Sequence, residues 1–161
     1  MRADERTLKG VLFSAHNQGY ASDKKPEILM VNEVRMKRFR YASLCGRFVV
    51  EDTWHSTGGM HSAGSTLIIE DGQPAWIMQY YGWYRPEAVS FLKRALGANY
   101  RRRIFCGGRG PSVFRIGSLR YTNAPECGST FSRFSGREGV LSRGSYAMGE
   151  HFYQGGTLYD D

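Results

Sequence analysis

Nowhere in these 161 residues do eighteen apolar side chains follow one another, so no segment is long enough to cross a bilayer as a helix. No apolar run follows the mixed-charge start Met1-Arg2-Ala3-Asp4-Glu5-Arg6 either. The expected location is therefore the cytoplasm, with no membrane partner. Cysteine is scarce: Cys45, Cys106 and Cys127 are odd in number, far apart and without a CxxC pair. That excludes an even disulfide framework and suits free thiols in a reducing compartment. The histidines show no HExxH spacing and no cysteine at finger distance, so no metal and no other cofactor is expected. Acidic groups are in the minority, with 15 Asp and Glu against 22 Lys and Arg. The imbalance is uneven: residues 1–50 carry ten basic and five acidic groups, 51–85 one and four, 86–161 eleven and six. A net charge of +7 favours nucleic acid, nucleotides or acidic proteins as partners, or simply coats a solvated surface.

What is present suffices for a folded core. Hydrophobic residues make up 41% and aromatics 14%, enough apolar surface to offset ordering entropy, and the length suits a single domain, 1–161, without staples. Leu8, Val11, Leu12 and Ala15 recur at helical spacing, with Asn17-Gln18-Gly19 as a stop. Glu33 to Tyr41 and Arg47 to Thr53 read as strands, and Ser56 to Gly64 as a Gly/Ser-rich loop. Asp71-Gly72 between Thr66–Glu70 and Ala75–Tyr81 is a hairpin signal. Pro86 followed by Val89, Phe91, Leu92, Ala95 and Leu96 predicts a second helix ending at Gly97. The rest is glycine-punctuated and β-like. The fold class is thus α+β, a mostly antiparallel sheet with two helices.

An offset of 72 residues aligns Gly64 with Gly136, Gly72 with Gly144, Ala75 with Ala147 and Tyr81 with Tyr153. This suggests a duplicated helix-plus-strands unit, with halves 1–85 and 86–161, enclosing a cavity.

From Leu8 onward, the segments Gly19-Tyr20-Ala21-Ser22, Asp71-Gly-Gln-Pro-Ala-Trp76-Ile-Met78-Gln-Tyr80-Tyr81-Gly82, Phe134-Ser-Gly136-Arg-Glu138 and Tyr153-Gln-Gly155-Gly156 resemble an uncharacterised bacterial family, domain of unknown function 5680. Its members often follow a helix-turn-helix DNA reader, which implies a sensing or regulatory role. Here the first predicted helix begins within ten residues of Met1, so no attached reader is expected. The arrangement is also similar, at fold level, to the duplicated effector-binding domains of multidrug-responsive regulators, which implies a pocket but no chemistry.

Trp76, Tyr80, Tyr81 and Trp83, with Phe134, Phe152 and Tyr153 in the counterpart hairpin, either wall a small-molecule cavity or fill the core. Glu138 in the Phe-Ser-Gly-Arg-Glu segment is either a buried acid facing that cavity or a surface partner of Arg137 or Arg143. His55, His61 and His151 are the further acid–base candidates. Gly59-Met-His61-Ser62-Ala-Gly64 has one residue too many for a nucleophile elbow. Cys106-Gly-Gly-Arg-Gly110 lacks the ending of a phosphate loop and reads as a flexible turn. Lys37, Arg38 and Arg40 around Phe39 and Tyr41, and Arg101, Arg102 and Arg103 after Tyr100, interleave cations with aromatics as a nucleic-acid groove does. The leading expectation is a non-catalytic small-molecule-binding or regulatory module. The alternatives are a basic enzyme acting on RNA, DNA or a nucleotide, and a factor that binds an acidic protein.

Overall fold

The computed structural model of the chain describes residues 2–22, 24–56 and 58–159. Helix α1 (Glu5–Gln18) starts where the Asp4 carboxylate accepts a hydrogen bond from the Thr7 amide at 2.8 Å, and it buries Leu8, Leu12, Phe13, Ala15 and His16. This is an N-cap that satisfies one of the orphan donors of the first turn. A five-strand meander follows: β1 (Glu27–Val31), β2 (Val34–Ala42), β3 (Phe48–Ser56), β4 (His61–Glu70) and β5 (Gln73–Tyr84). Helix α2 (Pro86–Arg102) then leads into β6 (Val113–Ile116), β7 (Leu119–Pro125), β8 (Arg133–Leu141) and β9 (Ala147–Thr157).

Among the described residues, nine strands form one antiparallel sheet in the order β1-β2-β3-β4-β5-β9-β8-β7-β6. The architecture is α+β, as the sequence pattern requires. The two meanders meet at β5 and β9, the last strand of each. Both helices pack on one face of the sheet and against each other, α1 over β2 and β3, α2 over β6 and β7. That inner face carries two apolar clusters. One gathers Leu8 and Leu12 of α1 with Val50, Ile68, Trp76, Met78, Phe131 and Phe134, the other Phe13 of α1 and Phe91, Leu92 and Leu96 of α2 with Tyr121 and Val140. Among the described residues, no helix is long and apolar enough to cross a membrane.

Three local expectations are corrected. The chain between Asp71 and Gly72 turns as expected, with φ of 47° and 79°, but β4 begins at His61, so residues 61–64 of the predicted 56–64 loop are strand. Its glycine content has a packing cause: a side chain at Gly64 would collide with Thr53 and with the Tyr80 hydroxyl on the neighbouring strand. Helix α2 runs past Gly97 because that glycine is buried beside Ala21 rather than capping; the left-handed cap is Arg103, φ 55°. Strand β1 and its turn through Asn32 and Glu33, both at positive φ, carry no glycine and gave no turn signal.

The offset-related positions agree only in part: Tyr81 is exposed where Tyr153 is buried, and Ala75 is buried where Ala147 is exposed. Gly72 and Gly144 lie in the β4–β5 and β8–β9 connections, both at positive φ. Gly64 on β4 leaves room for the Tyr80 hydroxyl, and Gly136 on β8 leaves room for that of Tyr153.

Candidate functional site

Between the two apolar clusters the inner face is polar. Glu138 on β8 and Arg109, in the loop after α2, are both buried and form an ion pair. Arg109 donates from Nε to Glu138 Oε1 at 2.8 Å. The Tyr121 hydroxyl donates to Glu138 Oε2 at 2.6 Å, and that of Tyr84 to Oε1 at 3.4 Å. On its other side Arg109 lies over the Tyr80 ring, 4.8 Å from the centroid, and donates from Nη2 to Nδ1 of His151 at 3.0 Å. Tyr80 in turn donates to Asp52 Oδ1 at 2.9 Å, which also accepts from Thr66 at 3.1 Å. One continuous network thus runs from Glu138 through Arg109 and Tyr80 to Asp52.

Burial sets the protonation states. It drives His151 down to about 2 and His16 to about 3, helped in each case by the Arg109 charge, so both are neutral at pH 7. Burial raises the Asp52 carboxyl against its hydrogen bonds and the Arg109 charge. It also raises the Tyr20, Tyr84, Tyr100 and Tyr121 hydroxyls, which are therefore donors. The tautomer of His151 follows. A guanidinium has no acceptor, so His151 Nδ1 must accept from Arg109 and the proton sits on Nε2. That nitrogen faces Ser62 Oγ at 3.3 Å as a donor. His151 is therefore unable to remove a proton from Ser62, and the pair is not a nucleophile with its base.

Two openings reach this chamber. A cleft of about 390 Å³ lies between strands β2–β5 and the start of α2, lined by Tyr20, Lys37, Phe39, Trp54, Ser62, Tyr84 and Lys93 among others. Its aromatic wall is fixed by an edge contact of Tyr20 with Trp54 at 6.1 Å and by Phe39 packed on Trp54 at 5.5 Å. Lys93 lies over the Tyr20 ring at 5.3 Å, and neither Lys37 nor Lys93 forms an ion pair among the described residues. A smaller cavity of about 40 Å³ is lined by His16, Tyr20, Phe39 and Asp52. Tyr20 and Phe39 line both. His16 stacks on Tyr100 at 4.6 Å, and among the described residues its buried Nε2 has no hydrogen-bond partner.

The residues singled out from the sequence fall into four places. Glu138, His151 and Tyr80 belong to the buried network, and Glu138 pairs there with Arg109 rather than with Arg137 or Arg143. Trp76 and Phe134 are core: Trp76 stacks on Phe131 and Phe134 at 5.0 and 5.4 Å and donates to the Phe131 carbonyl at 2.9 Å. Tyr153 is also inside, donating to Asn123 at 2.5 Å. Tyr81, Trp83 and Phe152 point the other way, to the outer face, where the His61↔Trp83 and Met36↔His55 registers also place His61 and His55. Lys37 is on the inner face at the cleft. Arg38 and Arg40 are outside, paired with Glu51, and Arg38 also with Glu27. Arg101, Arg102 and Arg103 are exposed at the far end of α2. The sheet separates that triplet from His55 and His61.

Sequence reading missed Arg109, Asp52, His16 and Tyr20. The signal for Arg109 was present in Cys106-Gly-Gly-Arg-Gly110. This loop is no flexible turn: Gly107 to Gly110 are buried. A side chain at Gly108 would strike Tyr153 and one at Gly110 would strike Tyr121, so the glycines lay the backbone against those rings and admit one arginine. Asn123 holds the loop by donating to the carbonyls of Cys106 and Gly110 at 3.0 and 3.2 Å.

No curated protein and no solved structure matches the chain. A family model described as a domain of unknown function matches residues 54–158, from the end of β3 through β9. That span includes Ser62, Tyr80, Tyr84, Arg109, Tyr121, Glu138 and His151 but not His16, Tyr20 or Asp52. With more than half its length covered, the chain belongs to the family domain of unknown function 5680.

Proposed function

We propose that the chain is a small-molecule-binding, regulatory module whose ligand enters the cleft between β2–β5 and α2. The observation that carries this reading is a roomy aromatic cleft standing directly over charged and polar groups withdrawn from water. A volume of about 390 Å³ falls within the range of small-molecule sites, which pair apolar walls with a few placed polar groups. Phe39, Trp54 and Tyr20 offer flat apolar contact, and Lys37 and Lys93 offer positive charge. Ser62 and the Tyr20 hydroxyl fix orientation. The ligand so described is compact, largely apolar or aromatic, and carries an acidic group.

The test is native mass spectrometry of the purified chain before and after denaturation, followed by titration with a panel of aromatic carboxylic acids. Trp54 lines the cleft whereas Trp76 lies in the core and Trp83 on the outer face, so binding should change tryptophan emission in the wild type and not in Trp54→Phe. Failure of every acid to bind, with no molecule released on unfolding, would overturn the reading.

A further inference from the structure

The face of the sheet turned away from both helices carries a second feature that the cleft does not use. Its central strands present Tyr81 on β5, 62% exposed, and Phe152 on β9, 39% exposed. They are direct cross-strand partners with rings stacked at 5.4 Å. On the next strand Arg137 stands opposite Phe152. Arg133 lies four residues along β8 on the same face, and Arg120 and Arg115 continue the row on β7 and β6, Arg120 opposite Leu141 and Arg115 opposite Arg120. At a strand rise of about 3.3 Å per residue, the arginine rows extend roughly 26 Å along β8. None of the four forms an ion pair among the described residues, whereas Arg38 and Arg40 on the other flank are both matched by acids.

We propose that this outer face binds single-stranded nucleic acid, with bases on Tyr81 and Phe152 and phosphates along Arg137, Arg133, Arg120 and Arg115. Exposed aromatics at the centre of an antiparallel sheet are a stacking platform for bases, which have a π-face whatever their identity. Unpaired arginines beside them supply the phosphate contacts. A second copy of the chain fits less well, because a two-fold contact over this face would set the arginine rows against one another. An acidic protein would satisfy the arginines but leave the exposed ring pair without a reason.

The test is fluorescence anisotropy with labelled twenty-nucleotide oligo-U RNA and oligo-dT DNA, and a labelled polyglutamate peptide as the competing polyanion. The wild type should bind one or both oligonucleotides at low salt, and whichever it prefers identifies the sugar. Arg133→Gln with Arg137→Gln should flatten the log–log salt slope by about 1.4. Tyr81→Ala with Phe152→Ala should leave that slope unchanged and weaken binding about tenfold or more for each ring lost. These side chains are exposed, so an unchanged melting temperature will show that the variants fold. Absence of oligonucleotide binding at low salt would overturn the proposal. So would equal binding of polyglutamate, or binding indifferent to the loss of both rings.

Discussion

Removing the Glu138 carboxylate leaves the Arg109 guanidinium buried without a counter-charge, and the size of the loss can be worked out. Arg109 is 6% exposed and Glu138 2%. Glu138→Met would remove the ion pair and the acceptor of the Tyr121 and Tyr84 hydroxyls. Breaking a buried pair from one side costs about 3–5 kcal/mol. For a chain of this length that corresponds to a fall in melting temperature of roughly 6–20 °C. A double-mutant cycle isolates the cause. Arg109→Met alone should cost a similar amount, because it strands the carboxylate instead. Arg109→Met with Glu138→Met removes both charges, and its loss should be well below the sum of the single losses, with a coupling energy of about 2 kcal/mol or more. Chemical denaturation of the four proteins at pH 7 measures it. Additive losses, or a coupling below about 0.5 kcal/mol, would refute the claim that the two groups form one desolvated unit.

Acid should destabilise the fold through its histidines. His16 and His151 have folded values near 3 and 2, below the unfolded value of 6.5, so the unfolded chain binds the extra protons and stability falls with pH below about 6.5. Each contributes up to about 1.4 kcal/mol per pH unit, or about 3 kcal/mol for the pair between pH 7.5 and 5.5. Asp52 acts in the opposite sense nearer pH 4, since its raised folded value lets the native state hold the proton. Urea unfolding at pH 7.5, 6.5 and 5.5 would show the fall, and a flat profile would contradict neutral burial. His16→Phe keeps the stacking on Tyr100 and removes an unpartnered nitrogen, so it should halve the pH dependence and leave stability at pH 7 equal or higher, while weakening whatever binds beneath Tyr20. Gly136→Ala forces a Cβ against Tyr153 and the backbone of Ala124 and Pro125 and should cost about 1–3 kcal/mol by thermal unfolding.

The layout of the fold was legible because periodicity reports burial. Leu8, Leu12 and Ala15 on α1, and Phe91, Leu92, Ala95 and Leu96 on α2, all turned inward. The Asp71-Gly72 hairpin was equally readable, since few residue pairs accept two consecutive positive φ angles. The site was less so. Aromatic strands alternate, and no local signal states which register faces the helices: Tyr80 and Tyr84 went to the chamber, Tyr81 and Trp83 to solvent. Asp52 looks like any strand acid until Phe39 is placed opposite it across β2 and β3. Arg109 is hidden for the opposite reason: a glycine run reads as a flexible turn, whereas its absent side chains serve close approach to Tyr121 and Tyr153.

The chamber asks why a basic chain keeps an arginine, two carboxylates and two neutral histidines in its interior. Stability gives no answer, because a buried pair replaced by apolar groups of similar volume is commonly neutral or stabilising. Of the polar groups gathered there, Glu138 has acceptors filled by Arg109, Tyr121 and Tyr84, and Asp52 Oδ1 accepts from Tyr80 and Thr66. The unmet capacity lies on the other side, at His16 Nε2 and beneath Tyr20, where the small cavity and the aromatic cleft adjoin. Under the proposed reading, groups held in place by such a network would meet a ligand already positioned, and that preorganisation would lower the ordering cost of binding. The same two strands that carry Tyr80 and His151 into this chamber carry Tyr81 and Phe152 to the outer face, one residue away. A ligand that shifts Tyr80 or His151 would therefore be felt at the aromatic pair behind them through the shared backbone of β5 and β9.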